Sequence, residues 1–190
     1  MKMKFVLGST ALIGALVLSG CTVNIGSTDH MDGNNHMSSE TTGTYDTAAL
    51  MFASMMIPHH EQAVVMANMV LSKSSNPQLL DLAQKIKAAQ QPEIAQMEGW
   101  LATEPDYDST HMDHSTMQGM LSMAEIAALG ELSGTAFDNA FLEGMIKHHE
   151  GAIVMAKMIA DSSNSEVRKL GNAIIDAQTA EIELMKTLIK

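Results

Sequence analysis

The sequence predicts an all-α protein, an antiparallel four-helix bundle made from two tandem helical hairpins. Two observations predict it. First, the chain repeats itself. Met56-Ile57-Pro58-His59-His60-Glu61-Gln62-Ala63-Val64-Val65-Met66-Ala67-Asn68-Met69 returns as Met145-Ile146-Lys147-His148-His149-Glu150-Gly151-Ala152-Ile153-Val154-Met155-Ala156-Lys157-Met158. The likeness continues downstream: Ile86, Ala89, Gln90, Glu93, Ile94 and Met97 match Ile174, Ala177, Gln178, Glu181, Ile182 and Met185. Second, apolar residues recur at helical spacing on both sides of two matching Ser/Asn-rich links. Each repeat, about 48–101 and about 137–189, is therefore one helical hairpin. Two hairpins bury their apolar stripes best against each other.

The elements follow in order. Residues 1–20 read as a targeting segment. Lys2 and Lys4 precede an apolar run from Phe5 to Leu18, too short to span a membrane in the ordinary way. The run ends in Leu18-Ser19-Gly20-Cys21, which resembles a bacterial lipobox. Cys21 is the only cysteine and sits where lipidation requires it. An acyl anchor there would hold the protein on a membrane without spanning it. Residues 21–45 read as a flexible tether, rich in Ser, Thr, Gly, Asn and Asp. The bundle is expected over 46–190.

Within it, helical periodicity runs from about Asp46 to Leu71, and a second helix from about Pro77 to Ala102. Residues 103–130 hold a polar stretch and a short helix opened by a Ser122/Glu125 capping box. A third long helix is expected from a Thr135 cap to about Asp161, and a fourth from the Ser162–Ser165 link to the end. Pro58 and Pro92 fall inside the first two long helices, where proline removes a donor and is expected to kink or open the helix.

Charge narrows the partners. The formal net charge is −11, and loss of Lys2 and Lys4 takes it to −13. Nucleic acids demand basic patches, so they are excluded. An acidic surface gathers cations instead.

The chemistry lies in the repeated motif. A packing helix needs only to repeat its apolar rhythm, yet this one repeats His-His-Glu among methionines. Aromatics are 4% of the chain while Met is 18 residues, so the core is not built in the simplest way. Imidazole and thioether together suit copper best: the soft sulfur selects Cu(I), whereas imidazole serves Cu(I), Cu(II) and zinc. On a helical wheel Phe52, Met55, His59, Met66 and Val70 share one face, with Met56 and His60 on its flank. Phe141, His148 and Met155 face inward in the second copy, with Met145 and His149 on the flank. Adjacent histidines diverge, so one looks into the core and the other reaches a neighbouring helix or the rim.

The partner helices place Gln90 and Glu93, and Gln178 and Glu181, on otherwise apolar stripes. A carboxylate there needs a partner. Hydrogen bonds from the histidines would satisfy it and fix the tautomer of a ligand. The metal candidates are therefore His59, His60, Met56, Met66, His148, His149, Met145 and Met155, with Gln90, Glu93, Gln178 and Glu181 behind them. His30-Met31 and His36-Met37 in the tether, and His111-Met112, His114 and Met117 in the inter-repeat segment, add weaker donors without fixed geometry.

Phe137-Asp138, Phe141, Met145-Ile146, His148-His149, Gly151-Ala152-Ile153 and Met155-Ala156 resemble the family called domain of unknown function 305. The resemblance covers both repeats, about 46–189. It implies a ferritin-like four-helix bundle in secreted or envelope bacterial proteins, some of them tied to copper binding and resistance. Its histidine motif falls on His59, His60, His148 and His149, and its methionines on Met56, Met66, Met145 and Met155.

The expected function is that of an envelope lipoprotein facing the periplasm or exterior. It would bind copper for sequestration or hand-off to an exchange partner, without acting as an enzyme. Two other classes compete. A ferritin-like di-metal oxidase needs Glu-x-x-His on two helices, whereas the partner helices here offer Gln-x-x-Glu. A metal-free interaction bundle would use its methionine faces to accommodate a partner helix.

Overall fold

The structure, a computed structural model, describes residues 44–108 and 117–190. All regular structure among them is helical. The elements are α1 (Thr47–Lys73), α2 (Pro77–Ala102), α3 (Met123–Glu131), α4 (Gly134–Ala156) and α5 (Ser165–Leu188). The long helices pair as α1 with α2 and α4 with α5, and the hairpins meet chiefly through α1 and α4. Among the described residues no helix is long and apolar enough to cross a membrane. The targeting segment, Cys21 and nearly all of the tether lie outside the described residues.

Local chemistry sets the helix ends. Asp46 caps α1 by accepting from the Ala49 N–H. The two hairpin links end alike: Asn76 accepts from the Gln78 N–H, and Asn164 from those of Glu166 and Val167. Each Asn satisfies donors that a helix start leaves orphaned. Ser122 and Glu125 form the expected capping box reciprocally.

Two boundaries differ from the sequence reading. Thr135 does not cap α4; Ser133 precedes it and Gly134 enters the helix at φ 56°, a left-handed turn that glycine takes without a Cβ penalty. And α4 stops at Ala156 rather than Asp161. Beyond it the chain tightens into bonds from Met158 N to Met155 O, Ile159 N to Ala156 O and Ser162 N to Ile159 O. Gly171 of α5 presses on this turn: a Cβ there would lie 2.8 Å from Ile159 Cγ1 and 3.1 Å from Ala156 O.

The prolines break nothing. α1 runs unbroken through Pro58, and α2 through Pro92.

The core comes in two clusters. One gathers Met66, Val70, Leu79, Ile86, Phe137, Phe141, Met145 and Ile182. The other gathers Phe52, Met56, Met97, Trp100, Ala152, Met155, Ile159 and Ile174. Burying a large apolar side chain contributes about 1.5–3 kcal/mol, so these clusters carry the fold. Their membership shows the antiparallel register of α1 and α4. Met66, after the α1 histidines, joins Met145, before the α4 histidines; Met56 joins Met155 in the same way.

A polar staple closes the second cluster. Tyr45 stacks on Trp100 at 5.2 Å between ring centroids. Glu166 accepts from Trp100 Nε1 at 2.9 Å and from Tyr45 Oη at 3.2 Å, tying the start of the bundle to α5.

Candidate metal centre

Between the two apolar clusters lies a layer of histidine. His59, His60, His148 and His149 all have 0% exposure. His59 and His148, one from each repeat, meet at the middle with ring centroids 3.8 Å apart and planes tilted by 41°. His60 and His149 turn outward to the partner helices. His60 Nε2 bonds Glu93 Oε2 at 2.8 Å, and His149 Nε2 bonds Glu181 Oε2 at 2.7 Å. One histidine of each pair therefore looks inward and the other reaches a neighbouring helix, as the wheel predicts. The near-equal bonds also show that Pro58 leaves the two His–Glu pairs equivalent.

The hydrogen bonds determine which ring nitrogens stay available. A carboxylate only accepts when ionised, so Nε2 of His60 and His149 carries the proton and donates. His59 Nε2 likewise faces the carbonyl oxygen of Gln118 at 3.2 Å. In a neutral ring the other nitrogen is then a lone pair. Nδ1 of His59, His60 and His149 makes no hydrogen bond, and neither nitrogen of His148 does. Burial drives the His59 pKa down to about 3, with the neighbouring His60 adding to the effect. Burial, followed by His59 and the other histidines, pushes His148 well below the ordinary range too. Both stay neutral at physiological pH, the state in which imidazole ligates metal.

A buried polar group left unpaired costs about 1–3 kcal/mol. Four imidazoles in this condition call for a purpose beyond packing. Their donor chemistry fits a soft or borderline ion. Among the described residues no group of three His, Cys, Asp or Glu side chains stands in metal-holding geometry. The set on hand is the His59–His148 pair, with thioethers in the layers above and below. Met56 and Met145 lie one turn before their histidines and Met66 lies two turns after His59; all three are fully buried, and Met155 nearly so.

The sequence-predicted residues divide accordingly. The four histidines and four methionines are brought to the middle of the bundle. Met56 is fully buried and Met55 only half-buried, reversing their order on the wheel. Glu93 and Glu181 hold histidines, but Gln90 bonds nothing through its buried amide, nor does Gln178 through Oε1. Met117 packs against the second cluster, while His30, Met31, His36, Met37, His111, Met112 and His114 lie outside the described residues. The sequence reading missed Gln118, whose contribution is a main-chain carbonyl and leaves no side-chain signal.

Residues 49–189 match the DUF305 family, a domain of unknown function. The chain belongs to this family. Solved structures share its fold. A DUF305 fragment from Deinococcus radiodurans is 31% identical, with a TM-score of 0.69 over 76% of this chain and 96% of that one. A DUF305 protein of Streptomyces coelicolor is also 31% identical, with a TM-score of 0.68 over 74% and 89%. CopM in its Cu(I)-bound form is 33% identical, with a TM-score of 0.61 over 74% and 94%. CopM has also been solved with Cu(II) and with silver. No protein of curated function matches the chain significantly.

Proposed function

We propose that this DUF305 protein binds copper as cargo in the histidine layer of its bundle, for sequestration or hand-off outside the cytoplasm. The observation that carries the reading is the set of buried imidazoles whose Nδ1 atoms have no hydrogen-bond partner, the inner pair, His59 and His148, being held neutral by burial. The copper- and silver-bound forms of CopM, a relative of the same fold, support it. His59 and His148 would supply the central nitrogens. His60 and His149, oriented by Glu93 and Glu181, would supply the outer ones. Met56, Met66, Met145 and Met155 would supply soft sulfur, favouring Cu(I), with Cu(II) held mainly by imidazole. The role is binding rather than catalysis: α2 and α5 carry Gln-x-x-Glu where a di-metal oxidase carries Glu-x-x-His.

Location belongs to the same reading. The Streptomyces relative is designated a secreted protein, and Leu18-Ser19-Gly20-Cys21 would attach this chain to the envelope through a lipid on Cys21. The tether's His30-Met31 and His36-Met37, with His111-Met112, His114 and Met117, would act as weak outer donors passing copper to the bundle or to an exchange partner.

Competition dialysis tests the proposal. At equal free metal the protein should retain copper over magnesium, calcium and manganese, which prefer oxygen ligands. Retention of calcium without copper would contradict it, and retention of no metal would favour the interaction-bundle reading.

A further inference from the structure

The two copies of the motif part at the residue that follows His-His-Glu. It is Gln62 in α1 and Gly151 in α4. Both corresponding positions face one stretch of chain between the repeats, Met117–Leu121. Gln62 grips it with a two-way amide clamp: Nε2 donates to Leu121 O at 2.8 Å, and Oε1 accepts from Leu121 N at 2.8 Å. Gly151 admits it by lacking a side chain. A Cβ at Gly151 would lie 1.9 Å from Gln118 O and 2.9 Å from Gly119 Cα. Gly119 itself sits at φ 88°, and a Cβ on it would meet Lys147 O at 2.6 Å. The strap is thus locked to both central helices, backbone against backbone on α4.

What the strap delivers is the Gln118 carbonyl, 3.2 Å from His59 Nε2. A carbonyl only accepts, so the facing nitrogen must carry the ring proton. His148, the counterpart of His59 in the second repeat, makes no full hydrogen bond at either nitrogen, and the main chain that approaches it is that of His59.

We propose that Met117–Leu121 is a positioning strap for the copper site. Held by Gln62 and seated in the notch at Gly151, it fixes His59 as the Nε2–H tautomer and commits the Nδ1 lone pair to the metal. The divergence of one repeated position into a clamp and a notch is what makes the two inner histidines, His59 and His148, unequal while the outer His–Glu pairs stay alike. The proposal rests on the copper reading, because a tautomer matters only if the lone pair has a use. Losing a group that orients a metal-ligating histidine typically costs 10–100-fold in affinity.

The test has two readouts on the full chain: ¹⁵N NMR of the imidazole nitrogens without metal, and Cu(I) affinity by competition with a chelator. In the parent, His59 should show a protonated Nε2 and an unprotonated Nδ1. Gln62→Ala and Gly151→Ala should each shift the backbone amides of Gly119 and Leu121, mix the His59 tautomers, and weaken Cu(I) binding about 10-fold. Gln118→Ala should change neither readout, because the contribution is main chain and the Gln118 side chain is exposed. If Gly151→Ala does not fold, Gln62→Ala carries the test. The proposal is overturned if parent His59 carries its proton on Nδ1, or if neither variant moves the strap. It is also overturned if the strap moves and the tautomer stays, or if the tautomer changes and the affinity does not. A parent that binds no Cu(I) sinks the copper reading instead, and the tautomer readout still shows whether the strap orients His59.

Discussion

At the scale of single residues, His148 bears the clearest mark of function. It is fully buried, its pKa is pushed far down, and neither ring nitrogen makes a full hydrogen bond, the His59 main chain approaching without completing one. The approach of the His59 main chain offsets little of the cost of desolvating those nitrogens, because it falls short of a full hydrogen bond. Replacing a buried unpaired polar group with an apolar one of similar shape is neutral or stabilising. We therefore expect His148→Leu to make the metal-free protein more stable, by about 1–2 kcal/mol, while weakening copper binding. Urea unfolding without and with Cu(I) checks both parts. A loss of stability in the metal-free protein would mean that His148 serves the fold. The outer pair differs: His60 and His149 each hold a carboxylate at hydrogen-bond distance. They would leave Glu93 and Glu181 unsatisfied if removed. This contrast between inner and outer histidines was only half legible in the sequence. The wheel separates adjacent histidines and points one of each pair to a neighbouring helix. It cannot show that the inner two meet ring against ring, because that depends on the register between α1 and α4.

At the scale of elements, the sequence revealed most where local chemistry decides. The Pro77 start of α2, its end at Ala102 and the capping box of α3 stand where composition places them. Misses occur where another element intervenes. α4 reads as helix to Asp161 on its own periodicity, but α5 approaches so closely at Gly171 that the last turn tightens. The helices do not open at Pro58 and Pro92, since packing on both hairpin partners holds them continuous. The Gly171 contact gives a direct prediction. Gly171→Ala should destabilise the protein by about 1–3 kcal/mol through overpacking against Ile159 and Ala156, although alanine is the better helix former. Urea denaturation measures it; a gain in stability would show that the turn after α4 can yield.

At the scale of the molecule, the bundle resolves into three layers, with histidine sandwiched between two methionine-containing apolar clusters. Duplication explains the arrangement. Each repeat brings one His-His pair on its first helix and one carboxylate on its second, and the antiparallel meeting of α1 with α4 sets the pairs at one height. The repeat, the bundle and the eight central ligand candidates were visible in the sequence because the motif is written twice. The strap was not, since glycine and a main-chain carbonyl carry no chemical signature until the fold brings them to His59. The central claim is that copper is held by this layer and not by the flexible His-Met segments. Calorimetric titration with a competing chelator tests it most directly, comparing the parent with His59→Leu/His148→Leu and with a chain lacking residues 22–43. The account predicts that the double variant, folded but without the central imidazoles, loses the tightest copper site by more than about 100-fold, beyond the range typical for an outer partner. The truncated chain should keep that site and lose only weaker ones. A double variant that binds copper as tightly as the parent, beside a truncated chain that does not, would contradict it.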